Sequence, residues 1–320
     1  MRLCRYRYQN VVHLGFYGEE AVVPLTAAVA AYADATHEKL VLLAGDNLLD
    51  FLPPDGKGFA AAQRVAHWLA EQPGALAKSA LPIAKVELLV PVPRPNKLFL
   101  LAGNYAAHII EGGDEAPERK ETFPYVFMKP ATTTLTDPGK AVVIPSVSPK
   151  SVDWECELAV IMGRGGKHIP EAEALKHVAG YTVINDISDR KFQPNPGRKK
   201  REKDSFFDWL HGKWHDSFCP CGPCIASADA IPNPQKLAMK LSVNGKLHQN
   251  ASTGQQIFPV AAVIEFISNI CTLEPGDIIS TGTPAGVGNA TGTYLAPGDK
   301  VEAWIENIGT LFSPVVAEKA

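Results

Sequence analysis

Charge of one sign, long apolar runs and nucleotide-loop chemistry are all scarce in this chain. It carries 31 Lys and Arg against 34 Asp and Glu, a formal net charge of −3. No excess therefore points to nucleic acid or an anionic membrane as the main partner. No apolar run approaches the roughly 20 residues that span a bilayer, and the opening "MRLCRYRYQN" lacks the apolar core of a secretory signal. A cytoplasmic protein is expected, and its six cysteines are then expected as free thiols. Cys219, Cys221 and Cys224 lie close together in "FCPCGPC" with His215 nearby, but prolines stiffen the run and the spacing is not that of a zinc site, so free thiols are expected. The Gly-rich "TGTPAGVGNATG" lacks the Gly-Lys-Ser/Thr ending of a phosphate loop. The basic run "GRKKREK" reads as a solvated loop, and His177 and His248 read as packing or surface residues.

What is present is a chain of 320 residues, 46% hydrophobic and 20% charged, enough to bury a sizeable core. Two parts are expected. Residues 1–92 read as a small α+β unit: short strands around "YGEE", then the Ala-rich helices "PLTAAVAAYADATH" and "FAAAQRVAHWLAEQ". Val65, Trp68 and Leu69 share one face of the second helix, as core residues do. "PVPRPNK" follows, with three prolines in five residues, and marks the boundary. Residues 93–320 are rich in strands. "KLFLLAGNY", "YVFMKP", "AVVIP", "ELAVIMG", "GYTVIND", "KLSVNGKL", "GDIISTG" and "DKVEAWIENIGTL" are bounded by turn residues, and Asn244-Gly245 signals a hairpin. Helices are expected chiefly at "EAEALKHV" and "PVAAVIEFISNI". Without βαβ alternation, the fold class is α+β and β-rich.

The chemistry concentrates around "DWECELAVIMG". In a strand, Glu155 and Glu157 would share a face, and Asp153 would add a third carboxylate. Ionised carboxylates held together in a half-buried site repel, so a proton or a cation must compensate them. "GYTVIND" ends in Asp186, giving an oxygen-only set suited to Mg²⁺, Mn²⁺ or Ca²⁺ rather than zinc. A solvated acidic edge with Asp186 as an unrelated turn residue is the competing reading. Upstream, "AGNYAAHIIEGG" places His108 and Glu111 at i, i+3, adjacent if that segment is helical.

Five motifs in order then carry a family resemblance. Glu-x-Glu before "LAV", "NDISDR", "GKWHDSFCPCGP", "TGTPAGVG" and the entry "PVPRPNKLFLLAGNYAAH" resemble the fumarylacetoacetate hydrolase superfamily from about Pro91 onward. The resemblance implies a mixed β-sandwich roll, normally a homodimer. It implies Glu155, Glu157 and Asp186 as ligands of Mg²⁺ or Mn²⁺, with Ca²⁺ also compatible. Arg190, Gln193, Lys213 and Thr283 would hold a small 2-oxo or diketo acid, with Lys129 of "FMKP" as a further substrate position. His108 and Glu111 would form a catalytic dyad on a lid, hinged at Gly112-Gly113, and Lys213 would neutralise developing charge. Hydrolysis of a C–C bond in an acylpyruvate-like or diketo acid is the activity expected first. Decarboxylation of a 2-oxo diacid and isomerisation of an unsaturated dioate are the alternatives, and a non-catalytic binding module fits poorly with a complete acid set.

The chain also departs from the family pattern. Asp189 stands where a small residue is usual, Lys191 replaces an acid, and Trp214 follows Lys213 where Ser is common. An insertion, 194–208, precedes Lys213 and is expected to border the substrate entrance and narrow the acids accepted. Phe206 and Phe207 in it and Trp209 just beyond could supply an apolar wall there, with ordinary packing as the competing and simpler reading.

Overall fold

A computed structural model describes residues 1–41, 43–72, 74, 76 and 78–319. The principal strands in chain order are β1 (Arg2–Tyr8), β2 (Val11–Tyr17), β3 (Ala21–Pro24), β4 (Leu98–Ala102), β5 (Tyr125–Met128), β6 (Val142–Ile144) and β7 (Cys156–Met162). They continue with β8 (Val178–Asn185), β9 (Cys219–Ser227), β10 (Ala238–Val243), β11 (Lys246–Ser252), β12 (Ile278–Ser280), β13 (Lys300–Ile305) and β14 (Gly309–Ala317). The longer helices are α1 (Leu25–Thr36), α2 (Phe59–Glu71) and α5 (Val260–Ile270), with shorter α3 (Ala106–Glu111) and α4 (Asp204–His211).

Two mixed sheets make the roll. The larger runs β3-β2-β1-β9-β8-β7-β12-β4-β5, and the smaller β11-β10-β13-β14-β6. Every residue of β7 and β8 is buried, which explains why "CELAVIM" is apolar at successive positions: both its faces are covered. Leu158, Val160 and Met162 pack toward the smaller sheet and α5, while Ala159 and Ile161 pack toward α1 and α2. In β13, by contrast, buried and open positions alternate, as a strand with one wet face requires. Asn244 and Gly245 both adopt positive φ, 52° and 78°, in the turn joining β10 to β11.

All eight strand segments expected after residue 92 are present. Among the named elements after residue 92, two are not anticipated by the sequence. "CPCGPCIAS" forms β9, fully buried between β1 and β8. Proline normally argues against a central strand, but the β8–β9 register shifts between Tyr181, opposite Ala226, and Val183, opposite Gly222, which leaves Pro223 to Ile225 outside that ladder. The proline nitrogen therefore falls where the ladder is already broken. The cysteines there are packing residues: all six in the chain are unpaired, and Cys219, Cys221 and Cys224 are buried. The second is α4, reached from 194–208 through Arg198, whose guanidinium bonds Asp204 and Asp208.

Residues 1–92 supply α1, α2 and the β1–β3 meander. This segment is hydrogen-bonded into the larger sheet, since β1 pairs antiparallel with β9 at Arg2–Ala226 and Leu3–Ile225. Val65 is fully buried in α2, and Trp68 and Leu69 pack beside it. Among the described residues, no helix is long and apolar enough to cross a membrane.

Candidate active site

The acids converge where β7 and β8 meet the Gly-rich loop after β12. Cys156 pairs with Asn185, so Glu157 at the start of β7 and Asp186 just past β8 come together. Glu155, Glu157 and Asp186 are buried and offer ligand atoms all within 4.8 Å of one another. The smaller-scale expectation for Asp153 is corrected by the structure. Strand pairing breaks at residues 154 and 155, which turns Asp153 out of the acid set. Its carboxylate instead accepts from the backbone N–H of Gly288 (2.7 Å) and Asn289 (3.0 Å) and from Arg190 Nε (2.8 Å).

Each acid has different company. Lys213 Nζ donates to Glu155 Oε2 (2.9 Å), Asp186 Oδ2 (2.6 Å) and Ser188 Oγ (2.9 Å). Arg190 Nη2 lies 2.5 Å from Glu155 Oε1. Burial alone would push Glu155 upward, but Arg190 and Lys213 outweigh it and hold the carboxyl well below its ordinary range. Glu157 behaves oppositely: burial, then the negative charges of Asp186 and Glu155, raise it well above that range. One of its oxygens accepts from Ser280 Oγ (2.6 Å) and the Gly282 N–H (2.9 Å). The other, Oε1, is buried with no hydrogen-bond partner. An orphaned carboxylate oxygen beside two further acids fits a hard divalent cation, which would satisfy it and offset the repulsion raising Glu157.

The dyad faces this cluster across one cavity. His108 Nδ1 and Glu111 Oε1 are 2.8 Å apart, and Glu111 Oε2 accepts from the Gly286 N–H at 2.9 Å. The helix α3 is thus tied to the Gly-rich loop. Gly286 has φ 103°, and a Cβ there would stand 2.1 Å from His248 O, so the loop needs glycine. Thr283 Oγ1 donates to Cys156 O (3.0 Å) and accepts from Gln249 Nε2 (2.8 Å). His108, Glu111, Glu155, Arg190, Lys213 and Thr283 all line a cavity of about 450 Å³.

Two expected substrate residues lie elsewhere. Gln193 is exposed and borders a separate hollow with Asn195, Pro196 and Arg198, because the chain turns outward after Arg190 into the insertion. Lys129 is fully buried, ion-paired to Asp186 Oδ1, and donates to Ile187 O (2.9 Å) and Phe218 O (2.6 Å). Its three donors are committed to protein groups, so it holds an acid rather than facing the cavity. Gln249, which braces Cys156 N (2.9 Å) and Thr283 together, was illegible in "KLHQNAS". A lone glutamine in an edge strand carries no signal until its partners are in place. His248 packs edge-on against Trp154, with centroids 4.6 Å apart.

Together these features define a β-roll protein with a buried acid triad facing a helix-borne His–Glu pair. Residues 97–316 match the family described as fumarylacetoacetate (FAA) hydrolase C-terminal, and the chain belongs to that family. It is 44% identical over 225 residues to an uncharacterised protein of Pyrococcus horikoshii, covering 70% of this chain and 90% of that one. It is 39% identical over 238 residues to the mitochondrial oxaloacetate tautomerase FAHD2A of Homo sapiens, 74% of this chain and 71% of the relative. The crystal structure of maleylpyruvate hydrolase from Sphingobium sp. SYK-6, in complex with manganese(II) and pyruvate, superposes with a TM-score of 0.70 at 29% identity, covering 100% of both chains. A 5-carboxymethyl-2-hydroxymuconate delta-isomerase from Mycobacterium smegmatis gives a TM-score of 0.68 at 28% identity, again over 100% of each chain.

Proposed function

We propose that the protein hydrolyses a C–C bond in an acylpyruvate-like acid, using a divalent cation held by Glu155, Glu157 and Asp186. The observation that carries this reading is the single cavity bounded by the His108–Glu111 pair on one side and by Glu155, Lys213 and Arg190 on the other. Mg²⁺ or Mn²⁺ there would polarise the 2-oxo group and stabilise negative charge on its oxygen.

The chain's own groups then divide the work. Thr283, reaching the cavity from the Gly-rich loop, contacts the bound acid, and Lys213 offsets charge developing on its three-carbon fragment. His108 takes a proton from water, with Glu111 fixing the ring through Nδ1 and leaving Nε2 as the base. The water oxygen adds to the distal carbonyl carbon and the C3–C4 bond breaks. One carboxylate keeps that oxygen, and the departing fragment takes a proton at C3 to become pyruvate. The proposed assembly is a homodimer acting in the cytoplasm.

Tautomerisation of a 2-oxo diacid is a second reading, favoured by the 39% identity to an oxaloacetate tautomerase. It needs the same base but no water. Turnover of an acylpyruvate in H₂¹⁸O with Mg²⁺ separates the two. Hydrolysis places ¹⁸O in the released carboxylic acid. Accelerated enol–keto interconversion of oxaloacetate, followed by loss of enol absorbance, with the acylpyruvate left uncleaved and no ¹⁸O-labelled acid released, would establish tautomerisation instead.

A further inference from the structure

Beside the catalytic cavity lies a second hollow of about 640 Å³ with an almost wholly carbon lining. Phe123, Tyr125, Phe206, Phe266 and Ile270 form its walls, and it shares Ala102 and Trp209 with the catalytic cavity. Two observations join the hollows chemically. The Lys213 ammonium sits 5.1 Å from the Phe127 ring centroid and 5.6 Å from that of Trp209. Those two rings, themselves 5.0 Å apart, form the partition between charged and apolar space. Ala102, which both hollows share, ends β4, the strand that leads into the His108 helix. Phe123 is 58% exposed and Ile270 66%, an apolar surface that water covers poorly.

We propose that this aromatic hollow is the subsite for an apolar acyl group of the substrate, and that Trp209 is the residue that selects for it. The inference rests on the hydrolase reading and narrows its substrate to acylpyruvates whose acyl part is an aryl or extended alkyl group. The catalytic cavity brings Arg190 and Lys213 to the 2-oxo acid head, and its lining is apolar on the side of Ala102 and Trp209, which it shares with the adjoining hollow. The adjoining hollow offers mostly carbon contacts, where each buried methylene is worth roughly fourfold in affinity. Trp209 stands on α4, directly after the insertion, so the segment that departs from the family pattern builds the subsite wall.

The test uses His108→Ala, which lacks the base and binds without turnover, loaded with Mg²⁺. Calorimetry compares 4-phenyl-2,4-dioxobutanoate with 2,4-dioxopentanoate, which differ only in the acyl group. The phenyl compound should bind at least about tenfold tighter. That advantage should fall below about threefold when Ile270→Asp or Trp209→Ala is added. Equal affinities, or an advantage untouched by both changes, would overturn the proposal. So would an Ile270→Asp change that converts dimer to monomer in sedimentation while leaving the ratio intact, since the hollow would then be a contact between copies. Failure of the hydrolase reading is seen separately, in a wild-type protein that cleaves neither compound although the phenyl preference stands.

Discussion

His108 and Glu111 are joined by one hydrogen bond, and Glu111 is fixed in turn by Gly286. Such a chain acts as a unit. His108→Ala should lower kcat by about 10²–10⁴-fold, and His108→Ala/Glu111→Ala should cost little more, because the carboxylate acts only through the ring. Steady-state rates across the four variants check this, and losses that multiply would show two independent groups. Lys129 invites a different measurement. Removing one member of a fully buried ion pair typically costs about 3–5 kcal/mol, and Lys129→Met would leave Asp186 facing Glu155 and Glu157 with less compensation. The metal-free variant should melt well below wild type, and Mg²⁺ should raise its Tm by more than it raises that of wild type. Equal metal-induced gains would contradict the counter-charge role.

At the scale of elements, the legible parts were those whose neighbours in sequence are also neighbours in space. The β10–β11 hairpin announces itself through Asn244-Gly245, and α2 through the spacing of Val65, Trp68 and Leu69. The apolar run of β7 and the Glu-x-Glu preceding it were likewise visible. β9 was not, since what admits Pro223 to a central strand is a register shift in its partner β8. Asp153 and Gln193 stand apart from the acid triad and its cavity for a related reason. Periodicity assumes an unbroken strand, and here the chain breaks at Trp154 and turns outward past Arg190. The helix α4 carries its own pH dependence. Asp204 accepts from the Arg201 N–H and the Arg198 guanidinium, which together hold its carboxyl below the ordinary value. A depressed folded-state value contributes stability that is present above the unfolded value of about 3.9 and is lost as pH falls below it. The Trp209 fluorescence and near-UV signal should therefore change between about pH 4 and pH 2 in wild type. An Asp204→Asn variant should already show the low-pH signal at neutral pH; a wild-type signal there would remove Asp204 from the account.

For the whole molecule, the division at residue 92 is a proposal from sequence, and hydrogen bonding runs across it. A chain starting at residue 93 would expose the β9 edge now covered by β1 and strip α1 and α2 from Ala159 and Ile161. Unpaired apolar edges promote association, so this fragment should aggregate at concentrations where the full chain remains dispersed, as light scattering would show. A monodisperse, cooperatively melting fragment would establish 93–320 as self-sufficient.

One divalent cation is expected on the three acids that β7, β8 and the lysine pair bring together. Calorimetric titration of the chelator-stripped protein with Mn²⁺ tests it without any substrate. One ion should bind per chain, with binding lost in Glu157→Ala, whose buried Oε1 otherwise has no partner. Wild-type affinity retained in that variant, or no saturable binding by the unaltered protein, would contradict it.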